Sequence, residues 1–328
     1  MTRFNLMLLF FAQLLLLIGS SSCEQLQPVK SLKLAHSLGT QHPVHLSMVF
    51  MAEKVREHSQ GKLDIKIYPS QQLGTERQCL ELLQIGSLAM TKVSAAVMEN
   101  FSPNMQVFGL PYLFRDRSHS YQVLDGEIGK NLLIQSEKYW LRGLTYFDAG
   151  QRSFYSKAPI QTPADLENKK IRVMESATAM NLVRSMGGAP TPISWGELYT
   201  ALQQGIVDGA ENNPPSFFRS RHYEVCKYYT LNEHSSIPDI LVIGTAAWNR
   251  LSSEEQGWLQ AAADEAKNYQ RQLWQEAENE ALEAVAAAGV EIIRPDKSLF
   301  AQKTEALFDQ YRDDPAKYQL IQDIRNQK

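Results

Sequence analysis

The feature that most constrains this chain is a rhythm of short apolar strands and amphipathic helices that runs once, stops and restarts. Leu32 to Ser37 reads as a strand, and Pro43 opens a helix in which Val49, Ala52 and Val55 recur among Glu53, Lys54, Arg56 and Glu57 until Gly61 ends it. Leu63, Ile65 and Ile67 then alternate with Asp64, Lys66 and Tyr68, the pattern of a half-buried strand. A loop over residues 69–74 leads to a helix with Cys79, Leu82 and Leu83 on one face, closed by Gly86, and residues 89–93 supply the next strand. This β-α-β-α order predicts an α/β fold with mixed, largely parallel sheets covered by helices. The rhythm begins again near Leu144: residues 143–149, 152–155 and 171–173 are strand-like, and Trp195, Leu198, Tyr199 and Leu202 recur at helical spacing.

Two lobes are therefore expected, with a boundary near Gly150. From Ser253 to Ala288 the chain is almost continuously helix-forming, rich in Ala, Glu and Gln, with no proline and only Gly257. At 1.5 Å per residue such a helix runs about 50 Å, enough to brace both lobes. The expected division is residues 24–149 plus about 238–277 in the first lobe, and 150–237 plus about 278–328 in the second. No internal repeat or low-complexity linker is present, so short crossing strands join the lobes, an arrangement that suits a hinge.

The N-terminus carries Arg3, an apolar run from Leu6 to Ile18 broken only by Gln13, and then Gly19, Ser20, Ser21 and Ser22. That is the pattern of a secretory signal peptide over residues 1–22, too short to span a bilayer, and it predicts a periplasmic protein. Cys23 stands where a lipoprotein signal places its lipidated thiol, but Ser20 replaces the usual leucine; lipidation of Cys23 and simple cleavage near Ser22 both stay open. Roughly 300 residues remain, above the size at which a single core stops growing. Only Cys79 and Cys226 are left, too few for a disulfide framework, although an oxidising compartment permits one bridge.

Lys and Arg number 33 against 36 Asp and Glu, interspersed and without a basic stripe, which argues against nucleic acid. Phosphate loop, dinucleotide fingerprint, Cys-x-x-Cys pair, nucleophile elbow and His-Glu-x-x-His are all absent from the sequence, so neither catalysis nor a cofactor is expected. His42 and His45 share a helical face but lack an obvious third metal ligand. The informative residue is Arg172. In Lys170-Ile171-Arg172-Val173 the apolar neighbours share one face and the guanidinium points to the other. An always-charged fork in a partly dry place needs an anion: a bound carboxylate, or an internal Asp or Glu.

The run from Ile171-Arg172-Val173 through Gly188-Ala189-Pro190-Thr191-Pro192 to Glu197-Leu198-Tyr199-Thr200-Ala201-Leu202-Gln203-Gln204-Gly205-Ile206-Val207-Asp208-Gly209-Ala210-Glu211-Asn212 closely resembles the core signature of the DctP-type solute-binding subunits of TRAP transporters. Gln72-Leu73-Gly74, Leu110-Pro111-Tyr112 and Tyr223-Glu224-Val225 extend the resemblance over essentially the whole mature chain. It implies a two-lobe clamp like that of periplasmic binding proteins. It also implies that Arg172 makes a two-pronged bond to a ligand carboxylate, that Arg152 reaches the same ligand, that Asn212 faces the cleft and that Trp195 walls the pocket. From the other lobe it implies Glu76, with Ser94 at the position eighteen residues on and His36 as a polar contact at the end of the first strand.

The hydroxyl-binding chemistry of Glu76, Asn212, Asn213, His36 and Asp239 suits a hydroxyl-rich acid. The stretches Glu211-Asn212-Asn213-Pro214, His222-Tyr223-Glu224 and Glu233-His234-Ser235 resemble the sugar-acid branch, with a C4-dicarboxylate or another keto or hydroxy acid as the alternative. The resemblance further implies handover to a small and a large integral membrane permease subunit driven by sodium. A ligand-presenting sensor protein is the competing function.

Overall fold

The computed structural model describes residues 29–327; the expected signal peptide over residues 1–22 and Cys23 lie outside the described residues. Among the described residues, eleven strands form two sheets, one per lobe. The first lobe holds β1 (Lys30–Ala35), β2 (Leu63–Tyr68), β3 (Met90–Ser94), β4 (Leu141–Phe147) and β10 (Asp239–Gly244), in the order β2-β1-β3-β10-β4. The second holds β5 (Arg152–Ser156), β6 (Lys170–Val173), β7 (Ala189–Pro192), β8 (Gly209–Asn212), β9 (Tyr228–Ser235) and β11 (Glu291–Ile293), in the order β11-β9-β5-β8-β6-β7.

Strands joined through a covering helix pair in parallel, as β1 does with β2 and β3, and β6 with β7 and β8. The two strands that come straight from the other lobe, β5 and β10, insert antiparallel to both neighbours. The two crossings run side by side in opposite directions, β4 to β5 through residues 148–151 out of the first lobe and β9 to β10 through residues 236–238 back into it, so β10 lies antiparallel to β4 and β5 to β9. This pairing also places β4 differently from the sequence expectation. It closes the first sheet against β10 and does not open a second unit.

The helix Ser253–Ala287 is the third connection. Ser252 accepts the Glu255 amide while the Glu255 carboxylate accepts the Ser252 amide, a reciprocal cap that fixes its start. Leu259, Ala262, Ala263 and Ala266 are buried in the first lobe's core, and Val285 in the second lobe's. Where the helix passes the crossing segment, the buried Gln270 donates to the Asp148 carbonyl at 2.7 Å and accepts the Asp148 amide at 2.8 Å. That amide clip ties helix and link together where the chain crosses between the lobes.

The C-terminal boundary departs from the sequence reading. Phe300 packs in the second lobe, but Tyr311, Ile321 and Ile324 are buried with Leu80, Phe108 and Leu124 in the first. The chain after about residue 310 therefore returns to the first lobe, where the Pro315–Asn326 helix covers apolar surface that nothing else shields. Trp195 to Leu202 also divides, into a 3₁₀ turn over Trp195–Glu197 and a helix over Leu198–Gln203 that buries Leu198 and Leu202.

Candidate ligand-binding site

A cavity of about 700 Å³ lies between the lobes and is lined from both. That is the size range of small-molecule sites. Of the sequence-expected residues, Arg152, Arg172, Trp195, Asn212 and Asn213 line it from the second lobe, and Glu76, Ser94 and Asp239 from the first.

His36 does not line it. Its Nδ1 accepts the Leu38 amide at 3.1 Å, which leaves Nε2 to donate to His45 Nδ1 at 3.0 Å, and the ring is buried behind the wall. Burial first, then the charge of Lys92, pushes its pKa down to about 2, so it stays neutral. The expected ligand contact is thus not made by His36, whose ring nitrogens are both used within the first lobe to hold the loop after β1.

The two arginines differ in what they meet. Arg152, at the start of β5, is buried and saturated: Nε and Nη2 donate to the Glu211 carboxylate, Nη2 also to the Glu211 carbonyl at 2.8 Å, and Nη1 to Asn212 Oδ1 at 2.8 Å. Despite burial, Arg152 together with His234 holds the Glu211 pKa down at about 2. The internal ion pair that the sequence left open for Arg172 is thus formed by Arg152.

Arg172 has no such partner. It is buried on β6, its Nε donates to the Ile193 carbonyl at 2.8 Å, and among the described residues no acceptor reaches its Nη1 and no carboxylate pairs with it. Burial lowers its pKa from the ordinary value. The Trp195 ring centroid lies 5.8 Å from the guanidinium carbon, so one face is covered by an aromatic and the fork is open toward the cavity.

The first lobe contributes a buried charged wall. Lys92, mid-strand in β3, donates to Glu76 Oε1 at 2.9 Å and approaches Asp239 Oδ2 at 3.2 Å. Glu76 also accepts from Ser37 Oγ at 3.1 Å and from the Ser94 amide at 3.1 Å. Burial opposes ionisation of Glu76, but these three donors keep its pKa below the ordinary carboxylate range. Asp239 has Lys92 alone, and burial raises its pKa. Ser94 Oγ is occupied by the Ala96 amide, and Asn213 Oδ1 by the Ser216 amide, so both side chains cap helices at the cavity edge.

Sequence reasoning missed Lys92, His42 and Gln71. Lys92 carried the same signal as Arg172, a charge inside a strand. His42 caps the Pro43–His58 helix through Nδ1 and reaches Ser216 Oγ of the other lobe at 3.2 Å through Nε2. Gln71 spans the cleft at the Trp195 turn: a Cβ on Gly196 would lie 2.2 Å from Gln71 Oε1.

The profile of the DctP family, bacterial extracellular solute-binding protein family 7, matches residues 34–314. The chain belongs to that family. It is 38% identical over 300 residues to the uncharacterized protein YiiZ of Salmonella typhimurium, covering 90% of this chain and 91% of YiiZ. Among solved structures it is similar to a TRAP periplasmic solute-binding protein of Xanthobacter autotrophicus Py2 with bound β-D-galacturonate, at 36% identity and TM-score 0.88, over 90% of this chain and 100% of that one. It is equally similar in fold to a TRAP periplasmic solute-binding protein of Citrobacter koseri with bound D-glucuronate, at 35% identity and TM-score 0.88, over 92% and 100% of the two chains. The two-lobe solute-binding fold and the family signature in the sequence are therefore of one origin.

Proposed function

We propose that this chain captures a hexuronate in the cleft and presents the closed clamp to the membrane subunits of a sodium-driven TRAP transporter in the periplasm. The observation that carries this is the buried Arg172 fork, which meets no internal anion among the described residues and is aimed at a cavity of small-molecule size. A buried unpaired cation is costly, and a two-pronged carboxylate is the ligand group that matches a planar guanidinium. The sugar hydroxyls would meet Glu76, Asp239 and Asn212, and Trp195 would cover the ring. The uronates bound by the two related structures support the choice of acid.

Binding in this reading is a clamp and not a reaction. A ligand that touches both lobes stabilises the closed state by its differential contacts, with the links at 148–151 and 236–238 as hinges. A thermal-shift series with D-glucuronate, D-galacturonate and succinate tests the proposal. Glucuronate or galacturonate at a hundred times its dissociation constant should add about 2.7 kcal/mol to stability and raise the melting temperature visibly. A response to succinate with none to either uronate would overturn the reading.

A further inference from the structure

The inner charges of the cavity leave an asymmetry. Arg152 and Glu211 cancel each other in a closed, buried pair. Lys92 faces two carboxylates, Glu76 and Asp239, and neutralises only one of them. Among the described residues, what remains is one free cation, Arg172, from the second lobe, and an excess of negative charge on the wall supplied by the first. The rim adds little: Arg77 already pairs with Glu81 at 3.2 Å, both half exposed, where water and salt screen them. His42 stays neutral, because burial and then the charge of Lys92 bring its pKa down to about 3.

Hydrogen-bonding capacity divides the same way. Two protons of the Lys92 ammonium are directed to Glu76 and Asp239, and the carboxylate oxygens keep lone pairs toward the cavity. Such a wall receives hydroxyl groups, which donate to carboxylates and accept from an ammonium. It has no unengaged cation for a second carboxylate, which would be brought out of water against Glu76 and Asp239.

We infer that the Glu76, Lys92 and Asp239 wall restricts the cleft to acids with a single carboxylate, so that it admits a hexuronic acid and rejects the diacid formed by oxidising the far end of the same sugar. This rests on the hexuronate reading above for the ligand class. The selection is by repulsion, as specificity often is: a like charge buried opposite these groups costs enough to suppress the wrong partner.

Calorimetric titration of the mature protein with D-glucuronate, D-gluconate, D-glucarate and succinate tests the filter. Glucarate and succinate should bind at least about 100-fold more weakly than the tightest monoacid. Asp239→Asn and Glu76→Gln each remove a charge at nearly constant size. In each variant that melts like the parent, the ratio of monoacid to glucarate affinity should shrink by about tenfold or more, even if both affinities fall. Glucarate bound as tightly as glucuronate by the parent protein would overturn the filter and leave the hexuronate reading standing. A parent that binds gluconate, but neither glucuronate nor glucarate, would end the hexuronate reading and support the filter. An unchanged ratio in both folded variants would show that these carboxylates do not select.

Discussion

At the scale of single residues, the site turns on two arginines in one sheet that have opposite needs. Arg152 is matched internally, so Arg152→Ala strands the Glu211 carboxylate in a dry interior. Denaturant unfolding of the ligand-free variant should show a loss of about 3–5 kcal/mol. The histidines add a pH dependence. Burial first, then Lys92 for His36 and His42 and Arg172 for His222, lowers their pKa values to about 2, 3 and 3 from an ordinary 6.5. Because the unfolded chain binds these protons more readily, their contribution to stability is complete above pH 6.5 and is lost as pH falls toward about 3. Unfolding near pH 5 should therefore take up about one proton for each of His36, His42 and His222, read from the slope of unfolding free energy against pH; a flat profile from pH 7 to 5 would contradict their buried neutral state. Arg172 was legible in the sequence because Ile171 and Val173 flank it. Its freedom from a partner was not, since Arg152 takes Glu211 from 59 positions away across an antiparallel register.

At the scale of elements, the signature Asp208 to Asn212 shows what each position does. Asp208 accepts the Lys170 amide at 2.8 Å and so fastens the end of β6, Glu211 meets Arg152, and Asn212 turns to the cavity. Gly209 is required by close approach: a Cβ there would stand 2.5 Å from the Tyr155 carbonyl oxygen of β5. Gly209→Ala should destabilise the protein by about 1–3 kcal/mol and weaken ligand binding, because β5 and β8 carry Arg152 and Asn212 between them. Chemical unfolding and calorimetry on the same variant check both halves, and a protein unchanged in each would mean the strands can spread. The positions of β1 to β6 were readable from periodicity, and those of β7 to β11 were not. Strand direction was not legible either: nothing local in Asp239 to Gly244 distinguishes a parallel from an antiparallel strand, and its direction follows from the chain returning from the second lobe beside β4, which leaves the first. The Lys92 strand was read for its apolar residues, so its buried charge passed unnoticed.

At the scale of the whole molecule, the cavity exists because two lobes meet, and they already touch at its lips. Asn100 donates to the Glu175 carbonyl at 2.6 Å, Glu99 accepts the Thr178 amide at 3.1 Å, and His42 reaches Ser216. These contacts join residues far apart in sequence, which is why lobe count was predictable but the return of Tyr311 and Ile324 to the first lobe was not. The proposed function has closure bring the Arg172 fork and the Glu76 wall onto one ligand, so the account stands or falls on whether that fork waits for an anion. The most direct measurement is the ligand-free melting temperature and the D-glucuronate affinity of Arg172→Ala, taken on one preparation. An anchor predicts a melting temperature unchanged or raised by removal of an unpaired cation, and affinity lowered by about 30-fold or more, with Arg172→Lys recovering only part. A folded Arg172→Ala protein that keeps its affinity for glucuronate, or one destabilised as strongly as Arg152→Ala, would contradict it.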